Sequence, residues 1–180
     1  VWRVCEAPER HDYDTSTVIS VSFGGSPSAE EMQRRVRETF PNLKATTNAY
    51  GLTESSSVAT TLTGADSQRL PTSVGLPMPT VDLAIGAPDG THLGPNQTGE
   101  VLLRGPIIMP GYWNKPEATA DTVIDGWLHT GDVGHLDDEG FLFITDRAKD
   151  MLIRGGENVY CVEIENRLVE HPEIADAAVV

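Results

Sequence analysis

Residues with the types and spacing for chemistry gather in three short stretches. The first is Asn48-Ala49-Tyr50-Gly51-Leu52-Thr53-Glu54, directly after an expected strand. It sets an aromatic face, a glycine for close approach, a hydroxyl and a carboxylate in one loop. Ligands of open α/β sheets bind at the carboxyl ends of strands, and this set would suit a nucleotide with its metal. The same residues also describe a strand-to-loop turn with a half-buried tyrosine, and alone they favour that plainer reading. The second stretch is Trp127-Leu128-His129-Thr130-Gly131-Asp132, entering an expected hairpin. An Asp beside a Gly can accept from both hydroxyls of a ribose, although an Asp serving a turn is the commoner case. The third is Asp146-Arg147-Ala148-Lys149-Asp150 followed by Gly155-Gly156-Glu157-Asn158, which by itself reads as a charged linker.

Elements must position these stretches. Residues 17–23 are β-branched and apolar, as in a buried strand, and end in Gly24-Gly25-Ser26-Pro27-Ser28. Ser28 with Glu31 reads as a capping box. Met32, Val36 and Phe40 mark one face of a helix closed by Pro41, and Arg34, Arg35 and Arg37 its solvated face. A second strand over residues 43–49 completes a strand–helix–strand unit, hence a parallel α/β layer. From residue 71 short apolar runs alternate with turn signals. Residues 81–85, 100–104, 133–136 and 141–145 are expected to be antiparallel strands, with a helix over 116–123. The pattern changes again at Arg147, where a Gly155-Gly156 loop should lead to a helix carrying Ile164 and Leu168, then a strand to Val180.

The 180 residues, 39% apolar, are enough for a folded core. With 13 Lys and Arg against 27 Asp and Glu, the net charge of −14 argues against a nucleic-acid or anionic-membrane binder. It leaves room for one phosphate ligand held by local donors. Cys5 and Cys161 are too few for a disulfide framework and read as free thiols of a cytoplasmic protein. No apolar run has the length of a membrane span. G-x-G-x-x-G, the Walker A loop, G-x-S-x-G, H-E-x-x-H and C-x-x-C are all absent. The first residues lack Met and resemble no signal peptide, and the last lie inside an apolar run; both ends read as cut, so a fragment is expected.

Taken in order, the motifs are far more specific. Gly24-Gly25-Ser26-Pro27, Tyr50-Gly51-Leu52-Thr53-Glu54, Gly99-Glu100 through Gly111-Tyr112-Trp113, Thr130-Gly131-Asp132, Asp146-Arg147-Ala148-Lys149-Asp150, Gly155-Gly156-Glu157-Asn158-Val159-Tyr160 and Glu163-Ile164-Glu165 resemble the ANL superfamily of adenylate-forming enzymes. The Gly155 to Tyr160 stretch looks most like the acyl-CoA synthetase branch, with Cys161 where Pro is usual and Asp146 where Gly is common.

The resemblance implies an α/β fold: the C-terminal part of the large AMP-binding domain in residues 1–146, with the start of the small α+β domain in 147–180. Within the former, an α/β layer would occupy residues 1–65 and an antiparallel β subdomain residues 70–145. It implies ATP, Mg²⁺ and coenzyme A as ligands and a small carboxylic acid, a fatty acid by expectation, as substrate. Gly24, Gly25 and Ser26 would line the adenine pocket and Tyr50, beside Gly51, would stack on the ring. Thr53 would donate to the α-phosphate, Glu54 would hold Mg²⁺, Asp132 would accept from the ribose and Arg147 would donate to the ribose or phosphate. Lys149 falls at the hinge, and Gly155 and Gly156 beside the pantetheine tunnel. The family's phosphate loop and its C-terminal lysine are not in this sequence, whose lysines are Lys44, Lys115 and Lys149. The chain alone is therefore expected to be inactive. Alternatives are a domain that loads an amino or aryl acid onto a carrier protein, and a nucleotide-binding fragment without chemistry.

Overall fold

The computed structural model describes residues 1–24, 30–149, 151–154, 157–169, 171, 174 and 177–179. Helix α1 (Trp2–Glu6) is followed by strand β1 (Ser20–Gly24), helix α2 (Glu30–Thr39) and strand β2 (Ala45–Leu52). β1 and β2 are parallel, in register from Ser20↔Ala45 to Gly24↔Ala49. The four-residue spacing of Met32, Val36 and Phe40 turns one stripe of α2 inward. Val36 and Phe40 bury there with Cys5, and Val21, Phe23, Met32 and Leu43 close around them. On the outer face Arg34 pairs with Glu38, and Arg35 with Glu6 of α1. β1 is not the buried strand expected: it lies at the end of the sheet order and alternates exposed and half-buried residues.

The layer is also mixed rather than purely parallel. β3 (Ser57–Leu62) returns antiparallel to β2, and β4 (Leu76–Pro77) pairs antiparallel with β3 after a short helix α3 (Asp66–Arg69). Only a tight turn separates β2 from β3, too short for the crossover that a parallel neighbour needs. The first sheet thus runs β1-β2-β3-β4 and reaches Pro77, into the stretch expected to begin the second layer.

The second sheet is antiparallel. β5 (Asp82–Gly86), β6 (Gly99–Arg104), β8 (Trp127–Leu136) and β7 (Val123–Ile124) lie in the order β5-β6-β8-β7, and β9 (Leu142–Arg147) pairs with β8. Helix α4 (Pro116–Thr122) precedes β7. Val101, Leu102 and Leu103 of β6 are buried in succession, so both faces of that strand are covered. Val101 and Leu103 share a core with Ala59 and Val74 of the first sheet's side, and Val74 N–H donates to Leu142 O (2.8 Å) across the join. β8 begins six residues before the expected position 133, which puts Asp132 inside a strand rather than in a turn.

Beyond β9, β10 (Leu152–Arg154) and β11 (Glu157–Val159) form an antiparallel pair, and α5 (Cys161–Val169) packs on β9. The strand expected up to Val180 is not seen at the described residues 171, 174 and 177–179. There the Val179 N–H donates instead to Glu165 Oε1 of α5 (2.9 Å). Both cysteines are buried, and neither is in a disulfide. Among the described residues no helix is long and apolar enough to cross a membrane.

Candidate active site

Parallel pairing of β1 and β2 brings their carboxyl ends to one edge, with Gly24 beside Ala49 and Tyr50 next along. The chain then bulges between Tyr50 and Gly51, makes a 3₁₀ turn over Thr53–Ser55 and reverses through Ser56 (φ 55°) into β3. Ser55, which sequence reasoning passed over, is buried and ties this turn. Its Oγ accepts the Leu52 N–H (2.9 Å) and lies within bonding distance of Leu52 O (3.0 Å) and Ser57 O (2.9 Å). The result is an exposed Thr53 beside a half-buried Glu54. The only signal for it was the polar run Ser55-Ser56-Ser57.

Gly51 has a structural reason to be glycine. A Cβ there would stand 1.8 Å from Ser57 O, a backbone atom of the returning strand. Gly51→Ala therefore forces the hairpin apart. We expect a loss of about 1–3 kcal/mol, the usual range for overpacking, measured by denaturant unfolding of the full-length protein. Unchanged stability would show that the turn tolerates a side chain.

From the other sheet comes Asp132, 5% exposed. Its Oδ2 accepts from the Tyr50 hydroxyl (2.7 Å) and its Oδ1 from Arg147 Nε (3.2 Å). Burial, then the Asp132 charge, pushes the Tyr50 phenol far up, so Tyr50 stays a neutral donor. Each carboxylate oxygen has two lone-pair directions, which leaves acceptor capacity for a further donor. Asp146, where Gly is common, is also buried; its Oδ1 accepts the Arg147 N–H (2.7 Å) and so fixes the backbone that carries the guanidinium.

Glu100 braces the approach to Asp132. Its Oε1 accepts the Gly131 N–H (3.0 Å) and its Oε2 lies 2.8 Å from His129 Nδ1. Gly131 itself has φ 72°, a left-handed value that favours glycine. Glu54, Tyr112, His129, Gly131, Arg147 and Lys149 line one cleft of about 500 Å³. Tyr50, Thr53 and Asp132 do not line it but adjoin residues that do: Thr53 precedes Glu54, and Asp132 follows Gly131. Gly25, Ser26, Gly155 and Gly156 lie outside the described residues.

Among the described residues no group of three His, Cys, Asp or Glu forms a ready cage for a cation. Glu54 offers one carboxylate, whose single side-chain partner there is Tyr112. A hard divalent ion held by one carboxylate plus substrate phosphates matches Mg²⁺, which keeps few protein ligands.

The profile of a family described as AMP-binding enzyme matches residues 2–113. The chain belongs to the AMP-binding enzymes, within the ANL superfamily. Over 174 residues it is 41% identical to an indoleacetate–CoA ligase of Aromatoleum aromaticum, covering 96% of this chain and 33% of that protein. Over 175 residues it is 39% identical to a long-chain-fatty-acid–CoA ligase of Bacillus subtilis, covering 96% and 30%. It thus spans about a third of the length of both ligases. Among solved structures, an amide bond synthetase of Marinactinospora thermotolerans superposes with a TM-score of 0.87 at 37% identity, over 99% of this chain and 36% of that one. The O-succinylbenzoate–CoA synthetase of Bacillus subtilis, in complex with ATP and magnesium ion, superposes with a TM-score of 0.81 at 36% identity, over 89% of this chain and 33% of that one. The α/β fold expected of an AMP-binding enzyme is the fold found.

Proposed function

We propose that the full-length protein containing this chain is an ATP-dependent, AMP-forming ligase that joins a carboxylic acid to coenzyme A. The observation that carries this reading is the convergence of Glu54, Gly131 and the Arg147–Lys149 pair on one cleft from three separate segments. Similarity to the coenzyme A ligases and to the ATP-bound synthetase supports it. Tyr50 offers a ring face to adenine, for which a flat surface suffices. Asp132 accepts from the ribose hydroxyls, and Arg147, bonded to Asp132, donates on the ribose or phosphate side. Thr53, exposed beside Glu54, donates its hydroxyl to the α-phosphate. Glu54 would hold Mg²⁺, which offsets the charge gathering on the phosphate in the transition state. By the motif resemblance alone, Gly24, Gly25 and Ser26 are assigned to the adenine side, and Gly155 and Gly156 to the thiol arm of coenzyme A.

Lys149 is the hinge in this reading, dividing residues 1–146 from 147–180. We also place the protein in the cytoplasm, because neither of its two cysteines is in a disulfide. The fatty acid expected from the motifs is one candidate acid; the indoleacetate ligase makes an aryl acid an equal one.

The test is pyrophosphate–ATP exchange by the full-length enzyme with long-chain, aryl and indole carboxylic acids, followed by thioester analysis with coenzyme A alone. Acid-dependent exchange and a coenzyme A thioester are expected. Exchange with transfer only to a carrier protein or an amine would replace the proposed acceptor, and the amide bond synthetase gives the amine arm its weight. No exchange with any acid would overturn the reading. The 180-residue chain alone is expected to show no exchange above a no-enzyme control.

A further inference from the structure

The Gly111-Tyr112-Trp113 motif has no role in the reaction as derived above. Yet Tyr112 lines the cleft, and its hydroxyl donates to Glu54 Oε1 at 2.8 Å, across 58 positions of sequence. The same segment grips Glu54 a second time, because the Met109 N–H donates to Glu54 O at 2.8 Å. Tyr112 is itself held from behind: its N–H donates to Thr119 Oγ1 (2.9 Å), and Thr119 Oγ1 donates to Lys115 O (2.9 Å) at the start of α4. A chain of bonds therefore runs from α4 through Tyr112 to the carboxylate. One carboxylate oxygen is tethered, and the other has no hydrogen-bond partner among the described residues.

We propose that Tyr112 is the positioning residue for Glu54, fixing its carboxylate so that the free oxygen is presented to the metal–nucleotide complex; this rests on the reading of Glu54 as the Mg²⁺ ligand. A free glutamate side chain samples several rotamers, and holding one in advance removes that entropy from the binding step.

The test uses the full-length enzyme and titration calorimetry with ATP plus Mg²⁺ and, separately, with AMP without metal. Tyr112→Phe keeps the ring and removes one hydroxyl, and AMP binding in the same preparation reports that the fold is intact. We expect affinity for the magnesium–ATP pair to fall about tenfold, as for a lost hydrogen bond to a charged group, with AMP binding within about twofold. In a Glu54→Gln background the same Phe substitution should add nothing, because its effect passes through that carboxylate. Equal weakening of AMP and of magnesium–ATP would overturn the proposal, as would an effect that persists beside Glu54→Gln. So would unchanged magnesium–ATP binding by Tyr112→Phe while Glu54→Gln weakens it. If Glu54→Gln itself leaves magnesium–ATP binding unchanged, the metal-ligand reading fails first, and the role of Tyr112 falls with it.

Discussion

Replacing Glu54 by Gln lowers acyl-adenylate formation by the full-length enzyme about 10²–10³-fold, the usual loss for one transition-state contact of this kind. The substitution is isosteric, and its amide oxygen can still accept the Tyr112 hydroxyl, so the turn that Ser55 ties should persist. What changes is charge: a neutral amide is a poor ligand for a hard cation that wants carboxylate oxygen. The deficit should be largest at limiting Mg²⁺ and partly recovered by excess metal. The measurement is exchange rate against Mg²⁺ concentration for both proteins, with circular dichroism to show an unchanged fold. A near-wild-type rate at limiting Mg²⁺ would remove Glu54 from the metal site.

Lys149→Pro separates the two half-reactions. Pairing with the body ends just before this residue. Arg147 is the last partner of Asp132 in the β8–β9 ladder, and the Ala148 N–H donates to Gly131 O at 2.8 Å. Lys149 is exposed, and its N–H has no backbone partner among the described residues. A proline there therefore removes no backbone hydrogen bond among the described residues; it fixes φ near −65° and restricts Ala148 as well. In this family the small C-terminal domain is expected to rotate between adenylation and thioester formation, which needs one residue of wide φ and ψ freedom. We expect thioester formation to drop on the order of tenfold or more while adenylation holds within about threefold. Both steps are assayed separately on the same variant. Equal losses, or none, would deny Lys149 a mechanical role.

Much of this was readable in the residues and some of it was not. Met32, Val36 and Phe40 announced the buried face of α2 by spacing alone, and Val36 and Phe40 are indeed core. β5 and β6 lie within a residue of their expected positions because apolar runs are bracketed there by Pro-Asp-Gly and Gly-Pro-Asn turns. β3 was missed, since the reversal before it uses Ser56 and Ser57 at positive φ, where residue type gives little warning. The β7–β8 hairpin was overlooked although Asp125-Gly126, both at positive φ, is the pair that two-residue turns favour. Asp132 looked like a turn residue because Gly131 precedes it; the strand runs through both and shifts register after Val133. The site residues were legible as a set of types. Their mutual bonds were not, because Tyr50 and Asp132 stand 82 positions apart and nothing local foretells a 2.7 Å contact.

That contact ties the β2 end of one sheet to β8 of the other. A pocket assembled across such a seam exists only in molecules where the two sheets are docked. Whatever molecule bridges Tyr50 and Asp132 therefore acts as a clamp on tertiary structure, and its binding energy is drawn directly against opening of the seam. At a free concentration a hundred times its dissociation constant, such a ligand would oppose separation by about 2.7 kcal/mol. Amide hydrogens flanking the join, such as Val74 N–H on Leu142 O, would then exchange about a hundredfold more slowly in the bound protein. Occupancy of the site would be written in the exchange rates of residues that never touch the ligand.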